Sequence, residues 1–180
     1  MTGRKTNPSL LAGALAMAVG ITGTAISAQP SGDVEALRAA LDDEYKAEAT
    51  YAAVIAAFGE VRPFINIIEA ERRHAASVRA EMDRLGLPYD TANPYLGKLA
   101  APASVLEACK QGVAAEVENI ALYDRLLPTL TDPQVRDTLT RLQWASRERH
   151  LPAFKRCVER GGTMGRGLGG GRGRGRQGTN

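Results

Sequence analysis

Glu71 and His74 are the two side chains of this sequence best placed to do chemistry, because they stand three residues apart in "EAERRH". Residues three apart on a helix share one face, and the apolar neighbours Ile67 and Val78 direct that face toward a core. A buried polar group without a partner costs roughly 1–3 kcal/mol. The pair therefore needs either a mutual hydrogen bond or partners on facing helices.

Further carboxylates and a second histidine recur at helical spacing along the chain. In each half of the chain a Glu precedes a Tyr by seven residues, and the half then closes on a His. A duplicated helical hairpin is the economical explanation. Helical periodicity directs six polar residues toward the axis: Glu44, Glu48, Glu71, His74, Glu116 and His150.

Several carboxylates that converge in a low-dielectric interior repel one another and are costly to ionise. Two arrangements relieve this cost, since the carboxylates can share protons or bind a cation. Oxygen and imidazole ligands suit iron, manganese or zinc, and a mixed carboxylate and histidine set within a bundle suits an iron or manganese pair. The sequence therefore predicts a metal site, and the alternative is a buried Glu–His hydrogen bond without a metal.

The apolar residues recur every three or four positions rather than alternately, which predicts helices and no strands. A first helix starts after Ser31 and stops at Gly59, and a second is ended by Gly86. Residues 86–102 form a long connection rich in Pro and Gly, and two short turns flank it. The pattern predicts an all-α, antiparallel four-helix bundle over residues 31–160, made of two helical hairpins joined by a long crossover.

The two cysteines fit this arrangement. Cys109 lies seven residues before Glu116, and Cys157 lies seven residues after His150. If the third and fourth helices are antiparallel and Glu116 meets His150, the cysteines meet two turns away on the same face. In an exported protein this favours a disulfide, which loop closure predicts to stabilise the fold by roughly 4 kcal/mol. Two free, buried thiols are the alternative.

The two ends of the chain differ from the centre in composition. Residues 1–28 combine early basic residues, a short apolar stretch and small residues before Ala28, which predicts a secretory signal peptide and a periplasmic or secreted protein without a transmembrane segment. Half of residues 161–180 are Gly and four are Arg, which predicts a disordered tail. Such a tail could hold anionic polymers or lipid headgroups nonspecifically.

The basic character of the whole chain comes from those two ends. The sequence has 23 Lys and Arg against 20 Asp and Glu, and a pI near 9.0. Two of the basic residues lie in the predicted signal peptide and four in the predicted tail, which leaves 17 against 20 in the central part. A mildly acidic core gives no support to specific nucleic-acid binding.

Three segments resemble the ferritin-like, rubrerythrin-type di-iron domain: "EYKAEATY" (44–51), "EAERRH" (69–74) and "EVENIALY" (116–123). With the signal peptide, "HLPAF" (150–154) and the tail, the chain is more similar still to secreted bacterial ferritin-like domains of unknown function. The resemblance covers about residues 33–160. It implies a mono- or dinuclear iron site, with manganese or zinc as alternatives, whose ligands are Glu44, Glu71, His74, Glu116 and His150.

Three residues near this predicted site admit more than one role. Glu48 is a further ligand, an acceptor that supports a ligand, or a partner for an arginine. For Tyr51 and Tyr123 the alternatives are core packing and a hydrogen bond to a ligand carboxylate.

The fourth helix departs from the family pattern. Arg147 stands three residues before His150, where a second bridging carboxylate is expected, and it puts a positive charge near that gap. Ser146 faces inward instead, and Glu148 faces outward. On the third helix, Asn119 stands where some relatives have a further carboxylate.

Two functions follow from these patterns. The first is an exported, iron-binding ferritin-like protein that acts on iron, oxygen or peroxide. The second is a non-catalytic envelope bundle with a degenerate metal site, which binds anionic partners through its Arg/Gly tail. The sequence does not decide whether the protein is an enzyme.

Overall fold

A computed structural model of the protein describes Met1 and residues 32–163, and this part of the chain is helical without any strand. Most of the predicted signal peptide (1–28) and residues 164–180 of the predicted tail lie outside the described residues. The helices are α1 (Gly32–Phe58), α2 (Phe64–Arg84), α3 (Val105–Leu126), α4 (Pro133–Ala145) and α5 (Leu151–Glu159), with a 3₁₀ turn at Leu127–Thr129 and a π-helical turn at Ser146–His150. The prediction of a helical bundle is confirmed.

The helix ends follow from local chemistry. Gly59 and Gly86 have φ angles of 79° and 67°, a left-handed conformation that glycine adopts without steric cost, and they follow the ends of α1 and α2. At the start of α4, an Asp132 carboxylate oxygen accepts hydrogen bonds from the amides of Gln134 (2.8 Å) and Val135 (3.1 Å). Each of these ends lies where the sequence predicts it.

The fourth predicted helix contains a change of helical pitch. Segments α4 and α5 are joined through the π-helical turn, in which the Leu151 amide donates to the carbonyl of Ser146, five residues earlier. Pro152 supplies the physical reason, because proline has no amide hydrogen and its ring clashes with the carbonyl four residues before it in a regular α-helix. A π turn relieves that clash, and such turns occur frequently at functional sites.

The core consists of two apolar clusters with a layer of polar side chains between them. One cluster is centred on Leu37, Leu41, Val78, Met82, Val135 and Leu139. The other is centred on Tyr51, Val54, Phe64, Ile67, Cys109 and Phe154. The polar residues of the intervening layer come from α1, α2, α3 and the π-helical turn: Glu44, Glu71, Glu116, Asn119, Ser146 and His150.

A disulfide between Cys109 and Cys157 links α3 to α5, with the two Cα atoms 6.0 Å apart. The prediction of this bond is confirmed, and the alternative of two free thiols is excluded because no free cysteine remains. The same helices approach closely at Gly112, where a Cβ atom would lie 2.6 Å from the ring of Phe154. Glycine is therefore required there for the ring to pack against α3.

The connection between α2 and α3 is fixed to α1 by side-chain hydrogen bonds. The Tyr45 hydroxyl donates to the carbonyl of Asp90 at 2.8 Å, and Asn93 Nδ2 donates to the carbonyl of Tyr45 at 2.8 Å. The Tyr95 hydroxyl donates to Asp42. The long connection is thus an ordered strap along the first hairpin.

None of the helices in residues 32–163 has the length and apolar character that a membrane span requires.

Candidate metal centre

Glu71 lies between the two histidines of the chain. Its Oε2 is 2.9 Å from Nδ1 of His74, and its Oε1 is 3.1 Å from Nδ1 of His150. The two imidazole rings stack with their centroids 5.5 Å apart. Glu71, His74 and His150 each offer a ligand atom within 4.8 Å of the others, so this group could hold a metal ion.

A second carboxylate flanks each imidazole. Glu44 Oε2 lies 3.4 Å from His74 Nδ1, and Glu116 Oε1 lies 3.5 Å from His150 Nδ1. Both flanking carboxylates are buried, as Glu71 is. The centre therefore has two similar halves, Glu44 with His74 and Glu116 with His150, and Glu71 is shared between them.

A buried tyrosine supports the outer carboxylate of each half. The Tyr123 hydroxyl donates to Glu44 Oε1 at 2.9 Å, and the Tyr51 hydroxyl donates to Glu116 Oε1 at 3.0 Å. The sequence left two roles open for these tyrosines, core packing and a hydrogen bond to a carboxylate. The structure shows that both tyrosines make the hydrogen bond. Burial, together with the nearby carboxylates, raises both tyrosine pKa values well above 10, so the hydroxyls stay protonated donors.

Burial and like charge set the ionisation of the carboxylates. Burial first, and then the charge of Glu71, raise the pKa of Glu44 to about 8. Burial also raises the pKa of Glu116. For Glu71 burial acts in the same direction, but the imidazoles of His150 and His74 outweigh it and lower the pKa to about 2. The imidazoles thus favour the ionised form of Glu71, and burial favours the protonated form of Glu44.

The imidazoles are correspondingly basic. Burial opposes their charge, but Glu44 and Glu71 raise the pKa of His74 to about 9, and Glu116 and Glu71 raise that of His150 to about 10. Without a metal the centre is a proton-sharing network at pH 7. A metal ligand must be a neutral imidazole, so a bound cation would displace these protons.

One nitrogen of this network is not satisfied. His150 Nδ1 is buried and forms no hydrogen bond with acceptable geometry within the described part of the chain, although two carboxylates lie within 3.5 Å. Buried polar atoms are almost always paired, so an exception requires an explanation. A cation held between the imidazole and the carboxylates provides one.

The π turn determines which residue of the fourth helix faces the centre. Ser146, four residues before His150, is buried, and its hydroxyl donates to the Leu142 carbonyl at 3.4 Å. Arg147 lies outside and pairs with Asp124 at 3.3 Å. The expectation that Arg147 brings a positive charge near the missing carboxylate is therefore corrected, whereas Ser146 faces inward as predicted.

Glu48 also lies apart from the centre. Arg72 Nε donates to its Oε1 at 2.9 Å, and Asn93 Nδ2 donates to its Oε2 at 2.9 Å. Both carboxylate oxygens are thus engaged at the surface strap. Among the roles considered from the sequence, the structure gives Glu48 that of an arginine partner and not that of a ligand.

A cavity of about 180 Å³ opens onto the polar layer between α1 and α3. Asp43, which sequence reasoning missed, lines it and accepts a hydrogen bond from Asn119 Nδ2. Burial raises the pKa of Asp43. Asp43 is adjacent to Glu44 and does not share the helical spacing of the predicted inward residues, so periodicity alone did not select it. The sequence feature that could have indicated it is Asn119, a polar residue one turn after Glu116.

Comparisons with known proteins concern the fold alone. No model of a known protein family matches the chain, and no curated protein matches its sequence. The crystal structure of the hypothetical protein MJ0754 from Methanococcus jannaschii DSM 2661 is similar, with a TM-score of 0.63 and 19% sequence identity. The similarity covers 73% of this chain and 82% of the other. The chain therefore shares a helical architecture with a solved protein.

Proposed function

We propose that this chain is a ferritin-like, rubrerythrin-type bundle that binds iron in its polar layer and acts on iron, oxygen or peroxide. The observation that carries the proposal is the position of Glu71, whose two carboxylate oxygens each face a different buried imidazole. In an ordinary protein core, a buried carboxylate needs one hydrogen-bonded partner. Two imidazoles and two more carboxylates around it make a ligand set.

The contacts between helices support the antiparallel arrangement that this family implies. Tyr45 on α1 pairs with Arg79 on α2, and Glu48, further along α1, pairs with Arg72, which comes earlier on α2. The order of contacts therefore reverses along the two helices. On the other side of the bundle, α3 is joined to α5 by the disulfide.

The donor atoms suit iron or manganese, because imidazole nitrogens and carboxylate oxygens are ligands that these metals accept. The residues that would hold the metal are Glu44, Glu71, His74, Glu116 and His150. The two similar halves favour a pair of cations that share Glu71 over a single one. Iron bound there would supply one-electron chemistry, while Tyr51 and Tyr123 hold the outer carboxylates in place.

Export to the periplasm or beyond belongs to this proposal. The Cys109–Cys157 disulfide supports it, because such bonds persist in oxidising compartments and are rare in the cytosol. The signal peptide that would direct export remains a prediction from residues 1–28.

The experiment is an anaerobic titration of the purified chain with Fe(II), followed by desalting and metal analysis. We expect at least one tightly bound iron per chain, and two if the halves act as a pair that shares Glu71. Glu71→Gln should abolish this binding because it removes the shared carboxylate. Glu69→Gln is the matched control, since Glu69 is exposed on the same helix and pairs with Arg72 at the surface.

A non-catalytic bundle with a degenerate site is the second candidate, and one observation favours it. Glu71 already makes a 2.9 Å hydrogen bond to His74, so this part of the layer is satisfied without a metal. Thermal unfolding with and without Fe(II), Mn(II) or Zn(II) separates the two candidates. A melting temperature that is unchanged by all three metals, together with iron-free protein after titration, would support the second and exclude the first.

A further inference from the structure

The cavity between α1 and α3 runs from the surface to the buried carboxylates. Exposed Lys46 and Glu118 line its outer part, while buried Glu44, Glu71 and Glu116 line its inner part. Asp43 and Asn119 lie on this path and join α1 to α3 through their hydrogen bond. A passage of about 180 Å³ is large enough for several water molecules or a hydrated ion.

The side-chain oxygen of Asn119 is the atom that indicates a ligand in this cavity. The Asn119 side chain is only 8% exposed, and its Oδ1 has no hydrogen-bond partner within the described part of the chain. The amide nitrogen alone accounts for the link to Asp43. The unpaired oxygen is not explained by that link, and burying it without a partner costs roughly 1–3 kcal/mol.

The chemistry of the two side chains indicates the missing partner. A carboxylate and an amide carbonyl are oxygen donors that hard divalent cations bind, usually with several water ligands retained. The surrounding charge has the same sense, because Glu71 and Glu118 also line the cavity. Among the described residues, the one cationic side chain of its lining, Lys46, pairs with Asp42. An acidic passage with low-dielectric walls concentrates cations and repels anions.

We propose that Asp43 and Asn119 form an outer cation station on the access route to the metal centre, where a hydrated divalent cation binds to a carboxylate oxygen of Asp43 and to Asn119 Oδ1. This inference rests on the proposed function for the destination of the ion. The station itself uses separate oxygens, so it can be tested with the centre disabled.

The first experiment uses Mn(II) as a paramagnetic probe in the full chain carrying Glu71→Gln and His74→Gln. We expect substoichiometric Mn(II) to broaden the NMR resonance of the Asn119 side-chain amide before it broadens those of exposed side-chain amides. Adding Asp43→Asn should remove this selectivity. Adding Asp42→Asn is the matched control and should retain it, because Asp42 is the neighbouring acid, lies outside the cavity and pairs with Lys46.

The second experiment keeps the centre intact and does not depend on that double variant. The rate at which Co(II) associates with the chain is measured by stopped-flow absorbance. Asp43→Asn should slow association about tenfold, as loss of steering charge does in focused clefts, and should leave the amount of metal bound at equilibrium unchanged. Asp42→Asn should associate at the wild-type rate.

The outcomes separate the two proposals. Full metal binding at the centre, with equal rates in Asp43→Asn and wild type and no selective broadening at Asn119, would overturn the station and leave the proposed function intact. Selective broadening at Asn119 in the variant chain, together with a wild-type centre that takes up no metal, would support the station and remove the proposed function.

Discussion

Glu71 is the residue on which the centre depends, because each of its oxygens faces a different imidazole at 2.9 or 3.1 Å. The residues around Glu71 have different roles in the polar layer. Tyr123 and Tyr51 hold the outer carboxylates, and His150 leaves one nitrogen without a hydrogen bond. At this scale most of the polar groups are paired through protons when no metal is present, and a cation would replace those protons and give His150 Nδ1 a partner.

The stability of the metal-free protein should therefore fall as the pH rises above about 6.5. The raised pKa values of His74 (about 9) and His150 (about 10) mean that their contribution is complete below the unfolded value of 6.5 and lost as the pH passes through about 9 to 10. Glu44 acts in the same sense, with its contribution lost between 4.5 and about 8. Urea unfolding in EDTA between pH 5.5 and 9.5 measures this.

Metal should reverse the trend. Its affinity should rise with pH over the same range, because each deprotonated imidazole becomes a free ligand. A metal-free unfolding free energy that stays constant or increases from pH 6.5 to 9.5 would contradict the network described for this layer.

Tyr123→Phe should weaken metal binding about tenfold, the lower end of the range for residues that orient a ligand. The substitution removes only the hydroxyl that fixes Glu44 at 2.9 Å. Isothermal titration with Mn(II) gives the affinity. Tyr89→Phe is the control, because the Tyr89 hydroxyl binds the surface residue Asp83 and should have no effect. If Tyr123→Phe and wild type bind Mn(II) with equal affinity, the Tyr123 hydroxyl does not orient Glu44 for metal binding.

At the scale of the helices, the π turn decides what the fourth helix presents to the centre. In a regular α-helix, Ser146 and Arg147 would lie about 40° and about 60° to either side of His150, so both would be near the centre. The hydrogen bond from Leu151 to Ser146 widens this turn, so Arg147 is directed outward to Asp124 while Ser146 stays buried. The layer therefore lacks a carboxylate from this helix and has a small cavity-lining hydroxyl there.

Ser146→Glu should add a ligand where Arg147→Glu should not. A buried fourth carboxylate repels its neighbours, so we expect Ser146→Glu to lower the melting temperature of the metal-free chain and to increase its stabilisation by Mn(II). Arg147→Glu places a carboxylate at the surface and should leave the metal-induced shift unchanged. A larger shift in Arg147→Glu than in Ser146→Glu would contradict the register set by the π turn.

The Cys109–Cys157 bond closes a loop with a sequence separation of 48 and ties α3 to α5. Replacing both cysteines by serine should lower the free energy of unfolding by about 2–5 kcal/mol, the usual effect of losing a disulfide. Urea denaturation of the metal-free chain measures the change. Wild type kept reduced during the measurement serves as the control and should match the double variant. An unchanged midpoint would show that helix packing alone holds this end.

At the scale of the whole molecule, a polar layer lies between two apolar clusters. Helices α1, α2 and α3 each contribute to all three levels, and α4, the π turn and α5 contribute to one level each in turn. A cation in this layer would link the four helical segments α1, α2, α3 and the π turn at one height. It would stabilise the native state in proportion to the logarithm of its concentration over the dissociation constant. The two apolar clusters would fix the ligands from both sides.

The helices and the inward-facing polar residues could be predicted from the spacing of apolar residues, because burial on a helix repeats every three or four residues. Glu44, Glu71, Glu116 and His150 are buried for that reason, and the spacing of Cys109 and Cys157 carried the disulfide. The rest depended on contacts between segments distant in sequence.

Three features lay beyond such reasoning. The role of Glu48 follows from the strap residue Asn93, which no spacing rule connects to α1. Asp43 becomes half-buried only because α3 brings Asn119 beside it. The orientation of Arg147 follows from the π turn, whose signal was Pro152 within an otherwise helical pattern.

The most direct test of the metal centre is a crystal structure of the chain grown with Mn(II) or Fe(II), with anomalous scattering recorded at the metal edge. We predict an anomalous peak in the polar layer, about 2.0–2.2 Å from nitrogen or oxygen atoms of Glu71, His74 and His150. A metal-loaded crystal without a peak in this layer, and with Glu71 still within 3.1 Å of Nδ1 of both imidazoles, would contradict the account.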